Sequence, residues 1–323
     1  MKRRTFLHLT AGAAALPALP RMARAQVYPT RPVRIIVSSA AGGANDILDR
    51  LIGQWLSERL GQRFFVENRP GGSNNIGTEA AVRAPADGYT LLGISGVNVV
   101  NTVLFDKLNF NFIRDIVPVA GIMRTSLVMN VNPSFPAKTI PEFIAYAKAN
   151  PGKLNFASGG TGTGPHMSGE LFKMLTGVDM VHVSYRGEGL ALTDLLGGQV
   201  QVMFNSSIVS LENVKAGRLR ALAVTSAARW DALPDIPSMS DFVPGFEAHS
   251  WFGIGAPKDT SAETIDKLNR AINTALADAN IKARLADLGG IPFPGSPTDL
   301  EKFIVDEAER WAKVVKFAGI KPE

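Results

Sequence analysis

Two glycine-rich turns are the parts of this chain best suited to chemistry. The first is Ala41-Gly42-Gly43, and the second is Gly160-Thr161-Gly162-Thr163, which follows Ser158. Each turn comes after a predicted strand and opens a predicted helix, so its unpaired N–H groups and the positive end of the helix dipole favour an anion. Neither turn contains Lys or Arg, which favours a carboxylate held by dipoles over a phosphate held by cationic side chains.

Three polar side chains close to these turns each have two possible roles. Asp46 either caps the start of a helix or receives an amino or hydroxyl group of a ligand. His166 either holds the second turn by a hydrogen bond or contacts the ligand. Arg186 either pairs with the distal acid of a dicarboxylate or lies in a surface turn. The sequence leaves these alternatives open.

Catalytic and cofactor-binding motifs are missing from the sequence. Gly160-x-Gly162 continues to Pro165, so the dinucleotide fingerprint lacks its third glycine, and there is no phosphate-binding loop, zinc-binding helix motif or nucleophile elbow. The absence of cysteine excludes disulfides, thiolate nucleophiles and Cys-based metal sites. A secreted hydrolase or lyase that uses Ser158 or Asp46 is the rival interpretation, but no evident base accompanies either residue. We expect no catalytic residue, cofactor or metal ion.

The elements that must position the two turns predict an α/β fold with mostly parallel sheets flanked by helices. A β-branched run at 33–37 leads through the first turn into a helical pattern that ends at Gly61, and residues 154–175 repeat this order. Ligands of such sheets bind outside the carboxyl ends of the strands. Because the turns are over a hundred residues apart, we predict two lobes that face each other across a cleft. Residues 26–125 with 248–323 form one lobe, and 126–247 form the other.

The N-terminus has the pattern of an export signal. Lys2-Arg3-Arg4 precedes a short Ala-rich apolar run, and Arg21-Met22-Ala23-Arg24-Ala25 ends in the small residues that a signal peptidase accepts. The apolar run is too short to span a bilayer. We therefore predict a periplasmic protein cleaved after Ala25. The adjacent arginines favour the twin-arginine route, with the general secretion route as the alternative.

The positive charge of the precursor comes from this N-terminal segment. The full chain has a formal net charge of +5. Residues 1–25 contain five basic residues and no acidic one, which leaves 29 Lys and Arg against 29 Asp and Glu in the mature chain. Nucleic-acid binding requires a basic surface, so we expect no nucleic-acid partner.

Four ordered motifs carry a resemblance to a known family. The segment from Val33 to Arg50, with its strand and A-G-G-x-x-D turn, is similar to the first motif of the periplasmic solute-binding receptors of tripartite tricarboxylate transporters, the Bug-type receptors. The other three motifs are Val66-Glu67-Asn68-Arg69-Pro70-Gly71-Gly72, the loop from Ser158 to Met167, and the segment from Val183 to Val200. Together they cover essentially the whole mature chain.

The resemblance implies a two-lobed Venus-flytrap receptor without enzymatic activity. Its loops would hold a ligand carboxylate, partly through water, and the receptor would act as a monomer that serves membrane permease subunits or a sensor protein. Candidate ligands are C4–C6 di- and tricarboxylates, acidic amino acids and aromatic carboxylates. Asn205 stands where the family commonly has Asp. The resemblance places the following residues at the ligand site: Ala41, Gly42, Gly43, Asn45, Asp46, Ser158, Gly160, Gly162, Thr163, His166, Tyr185, Arg186, Gly187 and Asn205.

Overall fold

The computed structural model describes residues 28–105, 107–227, 229–230 and 232–321. The predicted export signal at residues 1–25 lies outside these ranges. Within them, no helix is both long enough and apolar enough to cross a membrane.

Ten strands of the described residues join in one sheet. Its main path has the order β2-β1-β3-β9-β4-β7-β5-β6, and β8 and β10 also pair with β4. The bounds are β1 Val33–Val37, β2 Phe64–Asn68, β3 Thr90–Ser95, β4 Ile116–Val131, β5 Leu154–Ser158, β6 Met180–Ser184, β7 Val202–Ser206, β8 Arg220–Val224, β9 His249–Pro257 and β10 Ile291–Pro292.

Helices connect these strands and cover the sheet. In chain order they are α1 Ala44–Leu60, α2 Asn75–Val82, α3 Gly96–Leu104, α4 Phe112–Asp115, α5 Ile140–Ala149, α6 Gly164–Thr176, α7 Glu188–Leu196, α8 Ser207–Lys215, α9 Ala262–Ala277, α10 Ala279–Asp287 and α11 Pro297–Ala318. The predicted α/β class is thereby confirmed.

The sheet is mixed rather than mostly parallel, which corrects the sequence-based prediction. β1 pairs in parallel with β2 and β3, and β5 does so with β6 and β7. The long strands β4 and β9 are antiparallel to each other, and they join the two parallel groups through antiparallel pairs with β7 and β3. The repeating strand–turn–helix units predict parallel pairing correctly within each group. Strands β4 and β9 are not part of these units, so the prediction of mostly parallel pairing does not hold for the sheet as a whole.

Strand β4 changes partners halfway along its length. Residues from Ile116 to Ser126 pair with β9, whereas those from Leu127 to Val131 pair with β7 and β8. The predicted lobe boundary between residues 125 and 126 falls at this change of partners, and the lobe boundaries themselves stay a prediction.

Helix α11 packs against apolar residues from both strand groups. Leu300 and Ile304 near its start are buried with Ile94 of β3. Trp311 and Val314 near its end are buried in a different cluster, which includes residues of β5 and β7. Since each fully buried large apolar side chain contributes about 1.5–3 kcal/mol, α11 helps to hold the two groups together.

Candidate ligand-binding site

A pocket with a volume of about 520 Å³ lies where several strands of both groups end. We call it the polar pocket. Six of the residues predicted from the sequence line it: Gly43, Asn45, Gly160, Thr163, Tyr185 and Arg186. The other lining residues are Ser39, Ala44, Ser73, Asn74, Ser95, Val97, Thr161, Ser184 and Phe252. Its volume is in the range of small-molecule sites.

Three helices begin at the polar pocket with no side chain capping their N-termini. The N-cap residues are Gly43 for α1, Asn74 for α2 and Thr163 for α6, and none of them makes a side-chain cap hydrogen bond. The first N–H groups of a helix have no partner within the helix, and its dipole places a partial positive charge there. The starts of α1 and α6 therefore form a neutral but electropositive lining that suits an anion. Helix α2 adds its dipole, but its first two N–H groups already donate to backbone carbonyls, from Asn75 to Gly72 and from Ile76 to Gly71.

Arg186 supplies the one charged side chain in this lining. It is exposed, and it forms no side-chain hydrogen bond or ion pair with any other described residue. The neighbouring Tyr185 donates its hydroxyl to Asp194 at 2.6 Å, and burial together with that carboxylate raises the pKa of Tyr185 to about 12. Tyr185 therefore stays a neutral phenol at physiological pH.

Asp46 is engaged within the first turn and does not line the polar pocket. One carboxylate oxygen accepts the N–H of Gly42 at 2.9 Å, and the other accepts from Asn68 and pairs with Arg50, each at 2.9 Å. Burial disfavours the charged form, but these contacts outweigh it and the pKa of Asp46 lies below its ordinary value. This geometry favours the capping role over direct contact with a ligand.

His166 and His182 lie beneath the second turn. The N–H of Gly162 donates to Nδ1 of His166 at 3.0 Å, and the two imidazole rings stack with centroids 3.8 Å apart. Oγ of Ser158 lies 2.7 Å from Nε2 of His182. Burial, assisted by His182 and Lys173, lowers the pKa of His166 to about 3. His166 is therefore a neutral acceptor that shapes the turn.

The remaining predicted residues lie around or below the polar pocket rather than in its lining. Ala41 and Gly42 belong to the first turn, and Gly187 precedes α7 with a φ of 117°. Ser158 is fully buried. Asn205 is also fully buried and accepts a hydrogen bond from Asn130 at 3.2 Å. Gly162 lines a neighbouring cavity.

Four of the nine lining residues outside the predicted set show why sequence reasoning missed them. Ser95 ends β3 beside β1, so the rule that ligands bind at carboxyl ends of parallel strands could have found it. Ser73 and Asn74 directly follow the second family motif, which ends at Gly72 and from which the sequence analysis took no ligand-binding residue. Phe252 reaches the pocket through the pairing of β9 with β3, which no local pattern indicates.

No group of three or more His, Asp or Glu side chains that could hold a metal ion occurs in the described part of the chain. The lining of the polar pocket consists of small and polar residues, the side chains of Val97, Tyr185 and Phe252, and the guanidinium of Arg186.

The chain as a whole matches a known family of receptors. Residues 48–320 match the model for the tripartite tricarboxylate transporter family receptor. The chain belongs to this family. It is 37% identical to Protein BugT of Bordetella pertussis over 300 residues, which cover 92% of each protein. It is thus a solute-binding receptor rather than an enzyme.

Two solved structures extend the comparison to three dimensions. Rpa4515 of R. palustris, solved with adipate, has a TM-score of 0.82 and 36% identity, and the match covers 92% of this chain and 100% of that one. MatC of Rhodopseudomonas palustris, solved with bound malate, has a TM-score of 0.78 and 31% identity, with 89% and 100% covered. The family resemblance seen in the four sequence motifs is confirmed.

Proposed function

We propose that this receptor binds a small organic carboxylate in the polar pocket and presents it to the permease of a tripartite tricarboxylate transporter. The observation that carries the proposal is that three helix N-termini without a side-chain cap meet at one pocket together with Arg186, whose side chain pairs with no other described residue. This lining offers donors and positive potential without an acidic side chain, as a carboxylate requires. The adipate and malate in the two solved relatives support the same class of ligand.

The proposed place of action is the periplasm. The export signal at residues 1–25 would be removed after Ala25, and BugD, a periplasmic binding protein with 30% identity and a TM-score of 0.78, supports this location. Two-lobed receptors close on their ligands by hinge motion. Such closure would bring the turns on β1 and β5 together around the carboxylate.

A thermal-shift panel on the mature protein tests the ligand class, after bound ligand has been removed by unfolding and refolding. A ligand at about 1,000 times its Kd stabilises the folded state by about 4 kcal/mol. For a chain of this size we expect an increase in Tm of about 8–16 °C. Each carboxylate is compared with its uncharged primary amide. If only the amides or neutral sugars raise the Tm and no carboxylate does, the proposal is contradicted.

Growth and uptake measurements test the permease partner separately. Deletion of the receptor gene should abolish uptake of the identified carboxylate, and a plasmid copy should restore it. Unchanged uptake together with altered gene expression would instead support a receptor that serves a sensor protein.

A further inference from the structure

A second cavity, with a volume of about 200 Å³, adjoins the polar pocket. We call it the apolar pocket. Ser95, Val97, Thr163 and Phe252 line both cavities. A ligand whose carboxylate binds in the polar pocket can therefore extend past these four residues into the apolar pocket.

The rest of the apolar pocket has the lining and size of a site for a ring. Trp251 and Trp311 lie against it together with Val100, Pro165 and Met167. Trp251 is fully buried, and Val100 and Met167 are at most 2% exposed. An apolar protein cavity of roughly 150 Å³ is known to hold benzene. The apolar pocket is thus large enough for one six-membered ring.

Charge in the apolar pocket disfavours a second carboxylate. Glu307 is its one charged lining residue, and it is 1% exposed. Nε1 of Trp311 donates to this carboxyl group at 2.8 Å, and Arg310 approaches it to 3.3 Å without itself lining the cavity. Since no Lys or Arg lines the cavity, an anionic tail would be buried facing an acid with no cation to pair with.

Three buried polar atoms of this lining have no hydrogen bond of normal geometry to any described residue: Nε1 of Trp251, Nε2 of His249 and Oε1 of Glu307. Burial raises the pKa of Glu307, and the N–H of Trp251 approaches closely enough to lower it in part, but it is not well aligned with that carboxyl group. A buried N–H without a well-aligned acceptor is unfavourable, so a hydroxyl or carbonyl oxygen on an uncharged ligand would satisfy Nε1 of Trp251.

We propose that the apolar pocket is a specificity subsite for an uncharged, ring-sized tail, so that the receptor selects monocarboxylates with a cyclic apolar tail over short dicarboxylates. This inference rests on the proposed function, because the carboxylate in the polar pocket anchors the ligand.

Calorimetry on the refolded mature protein with matched pairs of ligands tests the subsite. Hexanoate and adipate have the same chain length and differ in the distal carboxylate, and we expect hexanoate to bind at least tenfold more tightly at pH 7. The series from phenylacetate to 4-phenylbutyrate tests the ring. At least one member should bind at least tenfold more tightly than the alkanoate of the same chain length without the ring. Tighter binding of adipate than of hexanoate overturns the proposal.

Two variants in the apolar pocket locate the effect. Val100→Phe fills the cavity and should weaken the best phenyl ligand at least tenfold more than it weakens the ringless alkanoate. Met167→Ala enlarges the cavity and should shift the preference towards naphthyl carboxylates, which gives a second reading if Val100→Phe does not fold. A further outcome is that carboxylates bind with relative affinities that depend neither on the ring nor on the two variants. In that case the subsite proposal is wrong and the proposed function stands. If no carboxylate binds at all, both are wrong.

Discussion

The backbone N–H of Gly162 donates to Nδ1 of His166, with 3.0 Å between the two nitrogen atoms. This hydrogen bond connects the second glycine-rich turn to the first turn of α6, the helix that the turn opens. Thr161 and Thr163, on either side of Gly162, both line the polar pocket. The bond therefore fixes the shape of the turn, whose flanking residues face the ligand.

Replacement of His166 should affect stability more than it affects binding. His166→Ala leaves the N–H of Gly162 without its acceptor, and we expect a loss of about 1–3 kcal/mol in the free energy of unfolding, measured in urea. His166→Gln, whose side-chain oxygen can accept a hydrogen bond, should recover part of this loss. Ligand affinity of the folded His166→Ala protein, measured by calorimetry, should change less than tenfold. A complete loss of binding with unchanged stability would favour direct ligand contact instead.

Gly162→Val should abolish binding. The φ of Gly162 is +78°, and a Cβ atom there would lie 3.4 Å from Val100. A β-branched residue is strained in this conformation by about 1–3 kcal/mol, so the turn must change shape. Gly177→Val is the matched control, because Gly177 has a φ of +69° and no atom within 4 Å of the added Cβ. We expect both variants to lose stability and Gly162→Val alone to lose binding, at least 100-fold. Equal affinities for the two variants would show that the turn makes no contribution.

Arg186→Gln should weaken carboxylate binding about tenfold, since a charge-assisted hydrogen bond is replaced by a neutral one. The effect stays modest because Arg186 is exposed and its charge is screened. Affinity of the wild type should also decrease with added salt more steeply than that of the variant. Arg270→Gln on α9 is the control, because Arg270 is also exposed and lines neither pocket. If the ligand affinities of the wild type and of Arg186→Gln depend on salt in the same way, Arg186 does not contact the ligand.

The stability of the protein should fall on acidification in a window set by its buried histidines. The pKa of His166 is lowered from 6.5 to about 3, and burial near Arg124 and Arg310 lowers that of His249 to about 4. Both are neutral in the folded protein, whereas the unfolded chain binds protons below pH 6.5. Each therefore contributes stability that is lost as the pH falls from about 6.5, by up to about 1.4 kcal/mol per pH unit. NMR titration of the imidazole rings checks this, and a midpoint near 6.5 for His166 would contradict it.

Export should depend on the paired arginines if the twin-arginine route is used. Changing Arg3 and Arg4 to Lys keeps the charge of the segment but removes the guanidinium pair. We expect the precursor to accumulate in the cytoplasm, measured by cell fractionation. Normal periplasmic delivery of this variant in a strain without the twin-arginine translocase would instead indicate the general secretion route.

Local sequence patterns predict the elements whose determinants are neighbours in the chain. Thr139 with Glu142 three residues later is the sequence pattern of a helix start, and the side chain of Thr139 accepts the N–H of Glu142 at 3.3 Å at the start of α5. The run at 33–37 and the first glycine-rich turn likewise give β1 and the start of α1 where they are predicted. In each case the hydrogen bonds that define the element lie within a few residues.

The elements that the sequence analysis missed depend on distant residues. β4 contains Pro118, Gly121 and the polar Arg124, and irregularities in its pairing with β9 interrupt the alternation expected of a strand. β9 pairs with β3, more than a hundred residues earlier in the chain. Because tertiary pairing overrides weak local preference in both strands, neither they nor Phe252 in the polar pocket could be located from the sequence.

The lowered pKa of His166 also bears on how the receptor would behave in acidic surroundings. Free carboxylic acids take up protons near pH 4 to 5, by roughly the same chemistry as exposed Asp and Glu. His166 takes up its proton only at about 3. As a medium is acidified, the ligand thus loses the negative charge that the three helix starts recognise before the second turn loses its acceptor. The lower pH limit for capture is accordingly set by the acidity of the nutrient, and a stronger acid would remain available to the cell in more acidic media than a weaker one.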